Sequence, residues 1–297
     1  MTKAYAAFGL GIASEIPLPG LLPGIGDAEV SISHGPVPET LEGGTQVELF
    51  GWASAGKYLM TMPGHARFLV TTDSVTVEIF PQGEEEMISL LVERACLGIL
   101  LQLRGFLVLQ GSAVELEGEG LAIMTEGSMG ASTLAYALLR EGARLLADGL
   151  VAVKPGKDGM PELYPASSSL QLWNDMICAF GEEPDSFKRV RPGLDRRFVP
   201  STSGIQPTGP IPPGKILFLG KHPQQGILVQ EYAGKEKMKA LLKCMHKKKL
   251  KHSLGTDRMH FSISMMMLQK MRISEVLFPS GSPFCAPDLA RTVLEKL

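Results

Sequence analysis

The sequence contains no apolar run of the roughly 18–20 residues that a membrane-spanning helix requires. The longest candidate, "LGILLQLRGFLVL" at residues 97–109, is interrupted by Arg104 and Gly105 and reads as a helix end followed by a strand. The opening "MTKAYAAFGLGIASEIPLPG" has one lysine and is broken by Gly and Pro before any long apolar stretch, which argues against a secretory signal. Cysteine is scarce. Cys96, Cys178, Cys244 and Cys285 stand far apart with no C-x-x-C pair, so neither a zinc site nor a dense disulfide framework is signalled. Reduced, partly buried thiols in a cytoplasmic protein are the expectation. An excess of one charge is also missing: the formal net charge is −2 and the pI is near 6.3. That balance removes the global basic bias that draws a protein to nucleic acid.

What is present is a chain of 297 residues, enough for a sizeable core and for two portions of unequal character. Residues 1–83 are rich in Gly, Pro and short alternating runs. In "FLVTTDSVTVEIF" (68–80), Val75, Val77 and Ile79 fall on one face of a period-two pattern, so a small β-rich portion is expected there. Residues 84–297 read as an α/β domain. Helical spacing of Met87, Leu90, Leu91 and Ala95, with Glu84, Glu85 and Glu86 at the favourable end of the dipole, predicts one helix over 84–102. A strand "FLVLQGSAVEL" follows. Then come a glycine-bearing turn at 117–120, a strand at 121–124, a loop, a helix over 132–141 and a strand over 144–153. Two strands joined by a loop and a helix make a β-α-β crossover, with the loop at the helix N-terminus, where an anion is well accommodated.

The loop lies in "MTEGSMGASTLAYALL" (124–139). A working phosphate loop, G-x-x-x-x-G-K-[ST], wraps phosphates with backbone N–H groups, neutralises them with lysine and holds magnesium with Ser or Thr. Gly127, Ser128, Gly130, Ser132 and Thr133 supply the corresponding residue types here, but Ala131 stands where lysine belongs. Read without gaps, the motif also puts Thr125 at the first glycine and Glu126 inside the loop. Read from Gly127, it is two residues short. Both alignments lose the cation. By itself the loop has a bland reading too, as a simple join between strand and helix.

Other features carry less. The six histidines show no metal-ligand spacing on a common helix face. The run "KCMHKKKLKH" (243–252) reads as a solvated face, "SISMMMLQKM" (262–271) as core, and Trp52 and Trp173 as packing anchors. Arg196 and Arg197 form a basic pair after "RPGLD", and Lys154 is a further candidate cation from another loop; surface exposure is the commoner fate of such residues.

The order of "YAAFGLGIASEIPLP", "LLQLRGFLVLQGSAVEL", the loop and helix, "LLADGLVAV", "LYPASSSLQLW", "RPGLDRRFVP" and "GKILFLG" resembles the C-terminal catalytic domain of the HPr serine kinase/phosphorylase family. It is more closely similar to the short HPr-kinase-like proteins associated with modified-peptide biosynthesis, including lasso-precursor kinases. The resemblance implies a phosphate-loop α/β fold of the HPr kinase/PEP carboxykinase-like type, a twisted sheet with flanking helices. It implies transfer from ATP, with Mg²⁺, to a serine hydroxyl of a protein or peptide. Carried over by position, it makes Ser132 and Asp148 the magnesium ligands, Asp148 the residue that orients or deprotonates the acceptor, Gly127, Ser128, Gly130, Ser132 and Thr133 the cofactor loop, and Arg196 and Arg197 the contacts to phosphate or substrate. Three positions depart: Gln110 replaces a histidine, Ala131 the lysine and Gly149 a second aspartate. Two readings therefore stand side by side, a retained serine kinase and a pseudokinase that binds a peptide or acts as a scaffold. Full-length members of the family assemble into hexamers, so a homo-oligomer is a further expectation of the resemblance, although no interface is marked in this chain.

Overall fold

Period-two alternation dominates the first eighty residues of the computed structural model, which describes residues 1–24, 27–125, 127, 130–201, 207–280 and 285–296. Nine strands form there: β1 (Lys3–Ala7), β2 (Leu10–Ser14), β3 (Leu22–Pro23), β4 (Val30–His34), β5 (Thr45–Glu48), β6 (Gly51–Ser54), β7 (Lys57–Met62), β8 (Ala66–Val70) and β9 (Ser74–Ile79). They make one sheet in the order β3-β1-β2-β4-β9-β8-β7-β6-β5. Its inward residues, among them Ile12, Ile32, Phe68 and Val75, share a core with the helical segment that follows.

That segment departs from the single helix expected over 84–102. It consists of α1 (Glu85–Leu91), a π-helical turn (Val92–Cys96) and α2 (Leu97–Leu103). A π-turn holds one residue more than an α-turn, a feature frequent at functional sites. Its consequence here is the placement of Glu93 and Arg94.

The rest of the chain builds a seven-stranded sheet and a small three-stranded one. The elements are β10 (Leu107–Leu116), β11 (Glu119–Thr125), α3 (Ala131–Arg140), β12 (Arg144–Pro155), β13 (Pro161–Leu163), β14 (Ser169–Trp173), α4 (Asn174–Ala179), β15 (Lys188–Arg189) and β16 (Arg196–Pro200). They continue with β17 (Pro213–His222), β18 (Leu228–Glu231), α5 (Lys235–Cys244), α6 (Lys251–Leu254), α7 (Asp257–Lys270), β19 (Arg272–Pro279) and α8 (Ala286–Lys296). The large sheet runs β13-β12-β10-β11-β17-β19-β18, and β14-β16-β15 forms the small one.

The crossover expected between β11 and β12 is present with one strand inserted. β10 lies between them, antiparallel to both, so β11 and β12 run parallel without touching. A tight turn with Glu117 at φ 51° and Gly118 at φ 89° forces this arrangement by folding β11 back onto β10. β17 pairs parallel with β11, and β19 with β17. Alternation along the strands feeds two cores. Leu121, Ile123, Leu145 and Leu217 pack under α3 and α8, whereas Ala122, Met124, Leu146 and Ile216 pack with α5 and α7. The methionine stripe belongs to the second core, through Ile263 and Met267 of α7. Among the described residues no helix is long and apolar enough to cross a membrane.

Candidate functional site

Parallel strands β11, β17 and β19 present their C-terminal ends to one side of the sheet, where open α/β sheets commonly take ligands. A cavity of about 880 Å³ opens there, between the first turn of α3, the middle of β10 and β12, and the π-turn. Gly130 caps α3 in the left-handed region at φ 99°, a conformation suited to glycine. The first turn of a helix leaves its N–H groups without intrahelical partners, and Ala131, Ser132 and Thr133 of that turn line the cavity. Gly127 lines it as well, with φ 77°. Ser128 and Glu126 lie outside the described residues.

Asp148 is the hub. Its side chain is 1% exposed, and both oxygens are occupied. Oδ1 accepts hydrogen bonds from Ser132 Oγ at 2.7 Å and from Ser112 Oγ at 2.8 Å. Oδ2 accepts from the Gln171 backbone N–H at 3.1 Å and from Arg94 Nη2 at 3.1 Å. Arg94 Nη1 also donates to the Asp148 carbonyl at 2.7 Å, and the Asp148 N–H donates to Ser167 Oγ at 2.8 Å. The register of the sheet sets this up, because Ser112 on β10 stands opposite Asp148 on β12.

Gly149 explains how Arg94 enters. A Cβ built on Gly149 would lie 0.8 Å from Arg94 Nη1, so the guanidinium fills the space that a side chain at 149 would need. Gly149 also has φ 87°. The position at which the resemblance leads one to expect a second acid thus accommodates a cation from another element.

The basic pair divides. Arg196 and Arg197 are neighbours on β16, so their side chains leave opposite faces. Arg196 lines the cavity, donates from Nη2 to the Gln171 carbonyl at 3.1 Å and sits 5.1 Å from the Trp173 ring. Burial pushes its guanidinium below the ordinary value, against the raising effect of Asp148 and with a smaller lowering one from Arg94. Arg197 turns away from the cavity. It donates to Asn174 Oδ1 at 3.1 Å, the Phe187 carbonyl at 3.3 Å and Asp185 Oδ1 at 2.6 Å. Of the two arginines expected to meet phosphate or substrate, Arg196 lines the cavity and Arg197 does not. Lys154 is likewise elsewhere, its ammonium 4.9 Å from the Phe106 ring. Trp173, expected to be a packing anchor, is 40% exposed and lines the cavity beside Arg196.

Several lining residues escaped the sequence reading. Arg94 carries a visible signal, a charged pair "ER" inside an otherwise apolar helical run, but only the π-turn shows where it points. Lys221 near the end of β17 reaches the cavity beyond the quoted strand motif. His246 approaches Gln110, with Nδ1 3.5 Å from Gln110 Nε2, so a histidine stands beside the position where the sequence resemblance leads one to expect one. Burial above all, helped by the Lys247 charge, lowers the pKa of His246 to about 4 and keeps the ring neutral. Beneath Arg94, burial raises the Glu93 carboxyl to about 7, opposed by the Gly20 N–H at 2.9 Å and by Arg94 and Lys188. Among the described residues, no cluster of three His, Cys, Asp or Glu side chains forms a ready metal cage. Magnesium needs none, since it commonly uses one or two protein oxygens together with water and substrate phosphates. Ser132 Oγ and Asp148 Oδ1 are a donor pair of that kind.

No family model matches the chain, and no curated protein matches it in sequence. Among solved structures it is similar to the Hpr(Ser) kinase/phosphatase from Coxiella burnetii, at 14% identity and a TM-score of 0.33, over 63% of this chain and 93% of that one.

Proposed function

We propose that this chain is an HPr-kinase-like phosphate-loop protein that takes a magnesium nucleotide in the cavity and has, as its inherited chemistry, phosphate transfer to a serine hydroxyl of a protein or peptide. One observation carries the reading: the hydroxyl of Ser132, in the first turn of α3, lies 2.7 Å from the Asp148 carboxylate at a cavity of about 880 Å³. Two hard oxygen donors at a helix N-terminus suit magnesium and phosphate. In this reading Ser132 and Asp148 would hold the metal in place of the hydroxyl hydrogen bond that Oδ1 now accepts from Ser132, and the metal would neutralise phosphate charge. Gly127, Gly130 and Thr133 border the phosphates, and Arg196 meets phosphate or an acidic substrate. Among the described lining residues three cations, Arg94, Arg196 and Lys221, outnumber two carboxylates, Asp148 and Asp175.

A second reading, a pseudokinase that binds peptide without transferring phosphate, is favoured by the saturation of Asp148. A base must have a free lone pair aimed at the acceptor, whereas this carboxylate already accepts four hydrogen bonds. Calorimetric titration with Mg·ATP and Mg·ADP tests the first reading. It expects measurable binding that Thr133→Arg abolishes by filling the loop. Absence of heat and of a thermal shift at millimolar nucleotide would remove it and leave the peptide-binding protein.

A further inference from the structure

The missing lysine at 131 leaves a question of charge, and the π-turn supplies an answer. Arg94 and Asp148 form an unequal pair. The aspartate side chain is 1% exposed and the arginine 26%, so it is the cation that presents itself to the open cavity. Among the described residues Arg94 spends two N–H groups on Asp148, one on the carbonyl and one on Oδ2. A guanidinium has five such groups in a planar fork that matches phosphate oxygens. Asp148 also stiffens this side chain from two directions, which reduces the rotamer entropy lost on meeting a ligand. The space for it exists because residue 149 has no Cβ.

We propose that Arg94 is the phosphate-binding cation of this site, delivered by the π-turn through the gap at Gly149 in place of a lysine at position 131. The proposal rests on the reading of the cavity as a polyphosphate site and names the residue that makes it work without the usual ammonium. It also explains why two of the departures, Ala131 and Gly149, occur together. Gly149 admits the arginine, the arginine supplies charge, and Ala131 can then pack against the core under α3, where it is 8% exposed.

The test is calorimetric titration of sodium tripolyphosphate, and separately of Mg·ATP, into wild type, Arg94→Lys and Arg94→Met at low and physiological salt. Thermal unfolding of each variant is recorded alongside. Arg94→Met is expected to weaken tripolyphosphate binding by roughly 10- to 100-fold, the scale of a lost charge-assisted hydrogen bond, with a shallower salt dependence. Arg94→Lys, which keeps the charge and loses the fork, should recover part of the affinity and fall between wild type and Arg94→Met. Should the unpaired Asp148 unfold Arg94→Met, the comparison moves to Asp148→Asn with and without Arg94→Met, in which no buried carboxylate is left unpaired. There too the arginine variant must bind tripolyphosphate more weakly. If wild type binds and Arg94→Met, or its double variant, binds equally well, the assignment of Arg94 is overturned while the reading of the cavity survives. If wild type binds neither probe, both fall.

Discussion

Gly149 makes the sharpest claim at the level of single residues. Replacing it with Ala sets a methyl 0.8 Å from the Arg94 guanidinium and forces a side chain onto φ 87°. The backbone term alone costs about 1–2 kcal/mol, and disturbing a buried pair adds to it. Chemical denaturation should therefore show a loss of at least about 2 kcal/mol for Gly149→Ala. The double variant with Arg94→Ala should lose less than the sum of the singles, because the clash vanishes with the guanidinium. Additive losses would mean that the two residues do not share space. The two arginines of β16 give a contrasting pair. Arg197→Ala should lower stability by about 2–3 kcal/mol, since it strips three hydrogen bonds from a buried guanidinium, and should spare tripolyphosphate affinity. Arg196→Ala should do the reverse and cost about tenfold in affinity, read by the same titration. Equal effects of both substitutions on binding would contradict the placement described. Residue types were legible in the sequence here, and directions were not: "RR" names two cations, but only the strand's alternation separates the one at the cavity from the one in the wall.

Among the elements, β11, α3 and the glycine that caps the helix were the most readable, since glycine, small hydroxyl residues and then an apolar period mark a helix start after a strand. The helix begins at Ala131, one residue before the expected start. Gly130→Ala tests the cap. At φ 99° a side chain is strained, and a loss of about 1–2 kcal/mol is expected, together with weaker tripolyphosphate binding as the first turn reorients. An unchanged unfolding midpoint would show that the loop relaxes freely. The helix over 84–102 was readable as helical but not as interrupted, because a π-turn follows from tertiary demand rather than from propensity. In this segment Glu93 reaches Gly20 while Arg94 reaches Asp148, and a regular α-helix would aim the two side chains differently. The insertion of β10 between β11 and β12 was hidden for a similar reason: a turn that reads locally as glycine-rich determines which strand becomes the neighbour only once Glu117 and Gly118 are both seen at positive φ.

Across the whole molecule, buried ionisable groups give folding a pH dependence whose signs can be worked out. His246 and His260 are held neutral, each with its pKa lowered from 6.5 to about 4, first by burial. Their folded values lie below the unfolded one. The stability they contribute is therefore present above pH 6.5 and is lost as the pH falls toward 4, because the unfolded chain binds protons that the folded one refuses. Glu93 acts oppositely. Burial raises it from 4.5 to about 7, so the folded chain holds a proton that the unfolded one releases, and stability declines as the pH rises from 4.5 to 7. Between pH 4.5 and 6.5 two rising terms oppose one falling term, and the net slope is about +1.4 kcal/mol per unit. From 6.5 to 7 only the falling term of Glu93 remains. These groups place the stability maximum near pH 6.5, which urea denaturation at half-unit intervals from pH 4.5 to 8 would locate. Glu93→Gln should move that maximum upward by removing the falling limb, and should leave the variant more stable than wild type at pH 8 by on the order of 2–3 kcal/mol. A wild-type profile that climbs steadily through pH 7, or a Glu93→Gln profile that keeps the falling limb, would show that the Glu93 carboxyl does not carry its proton into the folded core.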